Sequence, residues 1–363
     1  MTEERSKICY ILPKYDANTD THFSYLYDLL NKVSNSLDIF LVIEKCVGEL
    51  DFKGVAKIVI KKEKGNFLSK FFEGVKIAKE AQKAGYKDFY IHYSFIGALS
   101  ALFVSRGGRG RVFYWNCGMP WLYKRNIVQE TIFKFILRNV LLVTGTASLK
   151  IAYAKEYGLD ESRIRVLHNW INLEEFNKES VSKNEAKEKL NINTEKPVIL
   201  FIHHLSKRKG ADMIIPTARI FKDGYFVVVG DGPYTEELKN EINADEDLKG
   251  RVRMEGRRPQ NQMPLYLSAS DILFMPSEEE GFPHVLLEAM ALGIPYVASD
   301  VGSVRDISPE GEQKYIYTER TPENFANGIR GMLENPVDGV ELKTHATKYD
   351  TNPVSNMFIG LFR

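Results

Sequence analysis

Apolar positions along the chain alternate between two periods. Short runs rich in Val, Ile, Phe and Tyr, at 8–12, 39–43, 56–60, 89–93, 111–115 and 141–144, read as buried strands. Between them apolar residues recur at helical spacing over 23–34, 68–84, 96–104, 127–137 and 148–157. A second series repeats the alternation, with strands at 198–202, 226–229, 252–255, 272–275, 296–298 and 315–317. Its helices are expected at 210–221, 235–242, 263–267, 285–291 and 322–333, the last opened by Thr321 and Pro322. Alternating strand and helix predicts an α/β protein of two doubly wound, Rossmann-like parallel sheets. A polar stretch, His168-Asn169-Trp170-Ile171-Asn172, follows a strand at 164–167 and sets the expected break, giving domains 1–169 and 170–349. Another helical pattern runs from 352 to the end, with Pro353 near its start. Ligands of open α/β sheets bind beyond the carboxyl ends of strands, so two such domains facing each other place a ligand in a cleft.

Composition adds little until it is divided. The 363 residues carry 49 basic and 48 acidic side chains, a net charge of +1. Residues 1–170 hold 26 Lys+Arg against 17 Asp+Glu, and the remainder 23 against 31. Halves of opposite sign suggest units with different partners. The three cysteines, Cys9, Cys46 and Cys117, are too few and too widely spaced for a disulfide framework or a CxxC metal site, and a reducing, cytoplasmic location is expected. The start of the chain has no secretory pattern, and the charge-free run 90–105 is shorter than a membrane span.

The most informative stretch is 277–305, SEEEGFPHVLLEAMALGIPYVASDVGSVR. It follows the strand 272–275. Glu280, Gly281, Phe282 and Pro283 form a tight loop, and a helix runs on from about His284 through Val285 and Leu286. Open N–H groups and the dipole at such a terminus suit a phosphate. A carboxylate accepts two hydroxyl hydrogen bonds at once, which fits Glu280 and Glu288 to sugar or ribose hydroxyls. The Glu-x7-Glu spacing, set in Gly-Phe-Pro, Leu-Leu-Glu-Ala-Met-Ala and Gly-Ile-Pro-Tyr-Val-Ala-Ser-Asp, resembles the signature of retaining glycosyltransferase family 4, glycosyl transferases group 1 with the GT-B fold. The bland alternative, a loop charge and a solvated helix charge, fits either Glu taken alone but not this context.

The resemblance covers the second half. VLHNWINLEEF is similar to the segment entering the family's donor domain, with His168 and Trp170 replacing Pro and Gly. ILFIHHLSKRKGADMII is similar to a segment in which Lys209 matches the Lys that holds the donor diphosphate. His203 and His204 stand where the family has Gly and Arg. A histidine lacks the fork and permanent charge of Arg, so Arg208 is a candidate to compensate. Gly230 and Gly232 match a turn near the nucleotide; Thr235 stands where a dinucleotide fingerprint needs Gly. Arg257, after the strand 252–255, matches the loop that reads the base. Gly302-Ser303 resembles a Gly-Gly loop with its second Gly replaced.

The first half matches less, as an acceptor domain does. After the first strand the family has a Gly-rich loop; here Thr19, Asp20, Thr21 and His22 occupy it. Thr21 is the candidate to approach the donor, against the plainer reading that these residues cap the next helix. The family often carries an active-site His after the strand 111–115, and this chain does not. Asn116, a backbone carbonyl or His92 then takes the sugar contact, although His92, inside an expected strand, reads more readily as a core histidine. Cys117 has no base near it in sequence and is not taken as a nucleophile.

The resemblance implies transfer of a hexose-type sugar from a UDP- or GDP-sugar, with retention and without a metal or cofactor. The leaving diphosphate is met by Lys209, by His204 or Arg208, and by helix amides at 284–286, while Glu280 holds the sugar. It also implies that a helix at about 350–363 packs back on the N-terminal domain. The acceptor is expected to be a glycan or a lipid-linked or phosphorylated one. Nine cations between Arg106 and Lys155, with Glu130 the one acid among them and an apolar helix 127–143 beside them, suit an anionic membrane surface. The competing reading makes that helix part of the core. Nucleic acid is not an expected partner. A catalytically silent sugar-nucleotide-binding or scaffold protein of the same fold is the alternative function.

Overall fold

The computed structural model describes residues 5–19, 23–62, 64–178 and 180–363. Thr21 and His22 therefore lie outside the described residues. The chain divides into two compact units, one of residues up to His168 plus Asn352–Arg363, the other of Asn169–Thr351.

Seven parallel strands form the sheet of the first unit: β1 (Lys7–Leu12), β2 (Asp38–Ile43), β3 (Lys57–Ile60), β4 (Asp88–His92), β5 (Val112–Trp115), β6 (Leu141–Thr144) and β7 (Ile164–Val166). Their spatial order is β3-β2-β1-β4-β5-β6-β7, which reverses direction between β1 and β4. The linking helices are α1 (Phe23–Val33), α2 (Phe67–Lys83), α3 (Phe95–Val104), α4 (Ile127–Asn139) and α5 (Ala147–Tyr157). Each of α2 to α5 starts where a side chain accepts an orphan N–H: Asn66 from Ser69, Ser94 from Gly97, Asn126 from Gln129 and Thr146 from Leu149. Their apolar faces share one core with Cys9, Phe40, Phe89 and Tyr114 of the sheet.

The second sheet has six parallel strands: β8 (Val198–Ile202), β9 (Tyr225–Val229), β10 (Val252–Gly256), β11 (Ile272–Met275), β12 (Tyr296–Ser299) and β13 (Ile316–Tyr317). The order β10-β9-β8-β11-β12-β13 repeats the same switch, now between β8 and β11. Helices α6 (Ile214–Ile220), α7 (Thr235–Asn243), α8 (Met263–Ser268), α9 (His284–Leu292), α10 (Pro322–Glu334) and α11 (Gly339–Ala346) cover it. One face is closed by Ile214, Leu238, Phe325 and Ile329.

Two expectations shift. The helix read over 210–221 opens as two 3₁₀ turns, Lys207–Lys209 and Ala211–Met213, because Gly210 takes φ 83° between them. The strand read at 315–317 begins at Ile316, since Glu310–Tyr315 is a 3₁₀ helix. The last helix, α12 (Thr351–Gly360), packs on the first sheet: Phe358 meets Tyr10 and Tyr90, and Phe362 meets Phe113. An apolar tail helix that covers the sheet face opposite α2–α5 explains why the chain returns to its first unit.

Candidate functional site

The candidate residues of the second unit gather at the carboxyl ends of β8 and β11, the two strands flanking its switch point. Lys209 closes the 3₁₀ turn after β8. Glu280 lies on the loop after β11 and is 5% exposed. Lys209 Nζ donates to Glu280 Oε1 at 2.8 Å and to the Glu279 carbonyl at 3.3 Å. Ser277 Oγ donates to the same Oε1 at 2.9 Å. His203 Nε2 lies 3.0 Å from it. The backbone N–H of His204 donates to His203 Nδ1 at 2.8 Å, which assigns the proton to Nε2 and makes His203 the third donor.

Burial alone would raise the Glu280 carboxyl; the contacts to His203 and Lys209 outweigh it and hold the group at about 2. Glu280 is therefore an anion at neutral pH, buried and fully supported on one oxygen. Among the described residues no hydrogen bond reaches Oε2.

Glycine positions make this packing possible. A Cβ on Gly302, at φ 56°, would stand 1.6 Å from the Glu280 carbonyl oxygen. One on Gly230 would stand 1.9 Å from the His203 carbonyl oxygen. Gly232 backs onto His204, whose ring lies beside the Asp231 turn.

Helix α9 begins directly after the Glu280 loop. Pro283 is its N-cap and supplies no side-chain hydrogen bond, and the Leu286 N–H donates to the Pro283 carbonyl at 3.3 Å. Gly281 leads into Phe282, whose ring is edge-on to Tyr349 and whose carbonyl accepts from Asn169 Nδ2 at 3.2 Å. Glu288, one turn along α9, is buried and accepts from Gln260 Nε2. Arg208 is half-exposed and paired to Glu279 at 3.5 Å, so it is tethered beside the cluster rather than within it. Arg257 is exposed just past the end of β10.

The first-unit candidates are arranged differently. His92 ends β4 and is buried, 3.2 Å from the Tyr10 hydroxyl and stacked on Trp115 with centroids 4.3 Å apart. Asn116 Oδ1 accepts from the Gly118 N–H at 3.0 Å and shapes the turn after β5. Cys117 is fully buried and its thiol is pushed up by desolvation, which makes it a poor nucleophile.

Three contributors escaped the sequence reading. His203 stands where the family has Gly, and its place directly after β8 was the signal for its contact with Glu280. Ser277 opened the informative stretch without a role. Gln260 carried no signal, since the loop after β10 brings it to Glu288 only in three dimensions.

Comparison with known proteins agrees with this geometry. Residues 182–352 match the family model for glycosyl transferases group 1. The chain is 32% identical over 201 residues to the Escherichia coli UDP-Gal:alpha-D-GlcNAc-diphosphoundecaprenol alpha-1,3-galactosyltransferase, covering 53% of this chain and 51% of that one. It is 27% identical over 179 residues to the alpha-D-kanosaminyltransferase of Streptomyces kanamyceticus, covering 47% and 46%. It thus spans about half the length of these curated relatives. Among solved structures, Anabaena HepE in complex with UDP superposes with a TM-score of 0.77 at 15% identity, covering 98% of this chain and 99% of that one. Sucrose-phosphate synthase from Thermosynechococcus elongatus gives 0.76 at 18%, covering 99% and 98%. The fold is that of GT-B glycosyltransferases, and the group 1 resemblance read from the motifs holds.

Proposed function

We propose that this chain, whose residues 182–352 are a group 1 glycosyltransferase module, is a retaining, family 4 type hexosyltransferase using a nucleoside diphosphate sugar. The observation that carries the reading is the buried Glu280 anion, held by Lys209 on the loop that leads into α9. A hydroxyl-rich ligand meets the carboxylate, and a diphosphate meets the ammonium and the helix amides. The bond from the anomeric carbon to the phosphate oxygen breaks. The departing oxygen keeps the electron pair and takes the acceptor hydroxyl's proton, while the acceptor oxygen bonds to the anomeric carbon on the same face. Lys209, with His204 and Arg208 nearby, stabilises the leaving charge; preorganised donors of this kind are worth about 2.7–4 kcal/mol each. Glu288 and Gln260 hold the ribose. The charge of the diphosphate is met by side chains and dipoles, so no metal is given a step.

The acceptor is a glycan or lipid-linked one, in line with the diphosphoundecaprenol substrate in the Escherichia coli relative's name. The first unit supports a membrane surface as the place of reaction. Helices α2 to α4 form one layer, and their outward side exposes Phe67, Leu68, Phe72, Phe103, Phe135, Val128 and Ile127, the last 85% exposed. Arg106 sits over the Phe103 ring, and Lys62, Lys64, Lys124 and Arg109 are exposed. Apolar anchors ringed by cations fit an anionic lipid surface. α4 also buries Phe133, Ile136 and Leu137, so it serves the core and the surface with different faces. Among the described residues no helix is long and apolar enough to cross a membrane.

Thermal unfolding in the presence of UDP, ADP and GDP tests the donor reading. One nucleoside diphosphate raises the melting temperature in proportion to log concentration. No shift with any of them contradicts it.

A further inference from the structure

We propose that His203 is a positioning residue that turns Glu280 into a one-oxygen acceptor for the donor sugar; this rests on the nucleotide-sugar reading of the site. The terminal torsion of a glutamate is soft and lets its two oxygens exchange. Here Oε1 receives His203 at 3.0 Å, Lys209 at 2.8 Å and Ser277 at 2.9 Å, three donors from three backbone segments. That oxygen has no capacity left, and Oε2, unbonded among the described residues, is the oxygen offered to a ligand. The carboxylate thus takes its sugar contact through a single oxygen.

His203 is itself pinned. Its N–H donates to the Val229 carbonyl at 3.1 Å, which extends the β8–β9 ladder by one residue. Its carbonyl packs against Gly230, where any Cβ would collide. Its Nδ1 is filled by the His204 N–H. The ring therefore donates from Nε2.

Two readouts test it on the full chain. The first compares His203→Phe, which keeps a ring and loses the donor, with His203→Gln, which restores an N–H at similar reach. Donor turnover is followed as nucleoside diphosphate release, and binding of the bare nucleoside diphosphate by calorimetry. The Phe variant loses roughly tenfold or more in kcat, as expected for one hydrogen bond to a charged group. It binds the bare nucleoside diphosphate as wild type does, and Gln recovers most of the loss. Wild-type turnover in the Phe variant, or a Gln variant no better than Phe, overturns the proposal. The second readout is long-range 1H–15N correlation of the histidine rings in wild type. A proton on Nε2 of His203, with signals that shift in Glu280→Gln, supports the assignment; a proton on Nδ1 overturns it. Failure of wild type to bind any nucleoside diphosphate would sink the donor-site reading instead, and the ring spectrum would still decide the His203–Glu280 contact.

Discussion

Lys209 and Glu280 form a buried ion pair, 2.8 Å between Nζ and Oε1, built from two loops that follow adjacent strands of one sheet. A buried pair is compensated only while both members are present. Removing one leaves the other desolvated and costs about 3–5 kcal/mol. Lys209→Met is therefore expected to lower stability as well as turnover. Replacing both residues, Lys209→Met with Glu280→Gln, restores stability and not turnover. Urea midpoints of the two variants and the double variant check this.

Glu312 and Glu280 respond to pH with opposite signs. Glu312, in the 3₁₀ helix Glu310–Tyr315, is buried and accepts from the Tyr296 N–H at 3.3 Å; desolvation raises its carboxyl from 4.5 to about 8, with Glu341 adding repulsion. Its folded-state value lies above its unfolded one, so its contribution is fully present below about pH 4.5 and is lost as pH rises to 8. Glu280 is depressed to about 2, so its contribution is present above about pH 4.5 and is lost as pH falls toward 2. Glu312→Gln should leave stability unchanged at pH 4.5 and raise it on the order of 3 kcal/mol at pH 7. Melting temperatures of the two proteins across pH 4–9 provide the check; parallel curves contradict it.

Gly302 has no room for a side chain. Gly302→Ala drives a Cβ into the Glu280 carbonyl and demands a left-handed φ. The variant should fold with its loop displaced, lose donor turnover by about tenfold or more, and keep a melting temperature within several degrees of wild type. Equal turnover would show that the loop tolerates the shift.

The outward aromatic layer makes a surface prediction. Sedimentation with anionic vesicles at low salt should carry the wild type down, and raised salt should release it. Phe72→Asp and Val128→Asp should each weaken binding without affecting hydrolysis of a soluble donor. Binding that ignores lipid charge and both substitutions would contradict this surface.

Most of the architecture was legible because parallel sheets covered on both faces write themselves as apolar runs. Val198–Ile202, Ile272–Met275 and Leu141–Thr144 match their runs residue for residue. Helix starts were less legible where no side-chain cap marks them. The turn at Lys207–Lys209 is set by Gly210 and its neighbours rather than by periodicity. At the site, Glu280, Glu288 and Lys209 were readable because loops flanking a switch point sit in recognisable motifs. His203 and Gln260 were not, since their roles come from contacts across 77 and 28 residues. The sequence reading also gave Glu280 two oxygens for hydroxyls; three converging donors leave one.

The central claim is that the Lys209–Glu280 pair serves transfer from a nucleoside diphosphate sugar. Nucleoside diphosphate release from a panel of UDP-, ADP- and GDP-sugars, measured for wild type, Glu280→Ala and Lys209→Ala, tests it most directly. Wild type should release the diphosphate from at least one donor, and each variant should be slower by about tenfold or more. Release by both variants at the wild-type rate, or no release by wild type from any donor with or without glycan and lipid-linked acceptors, would contradict it.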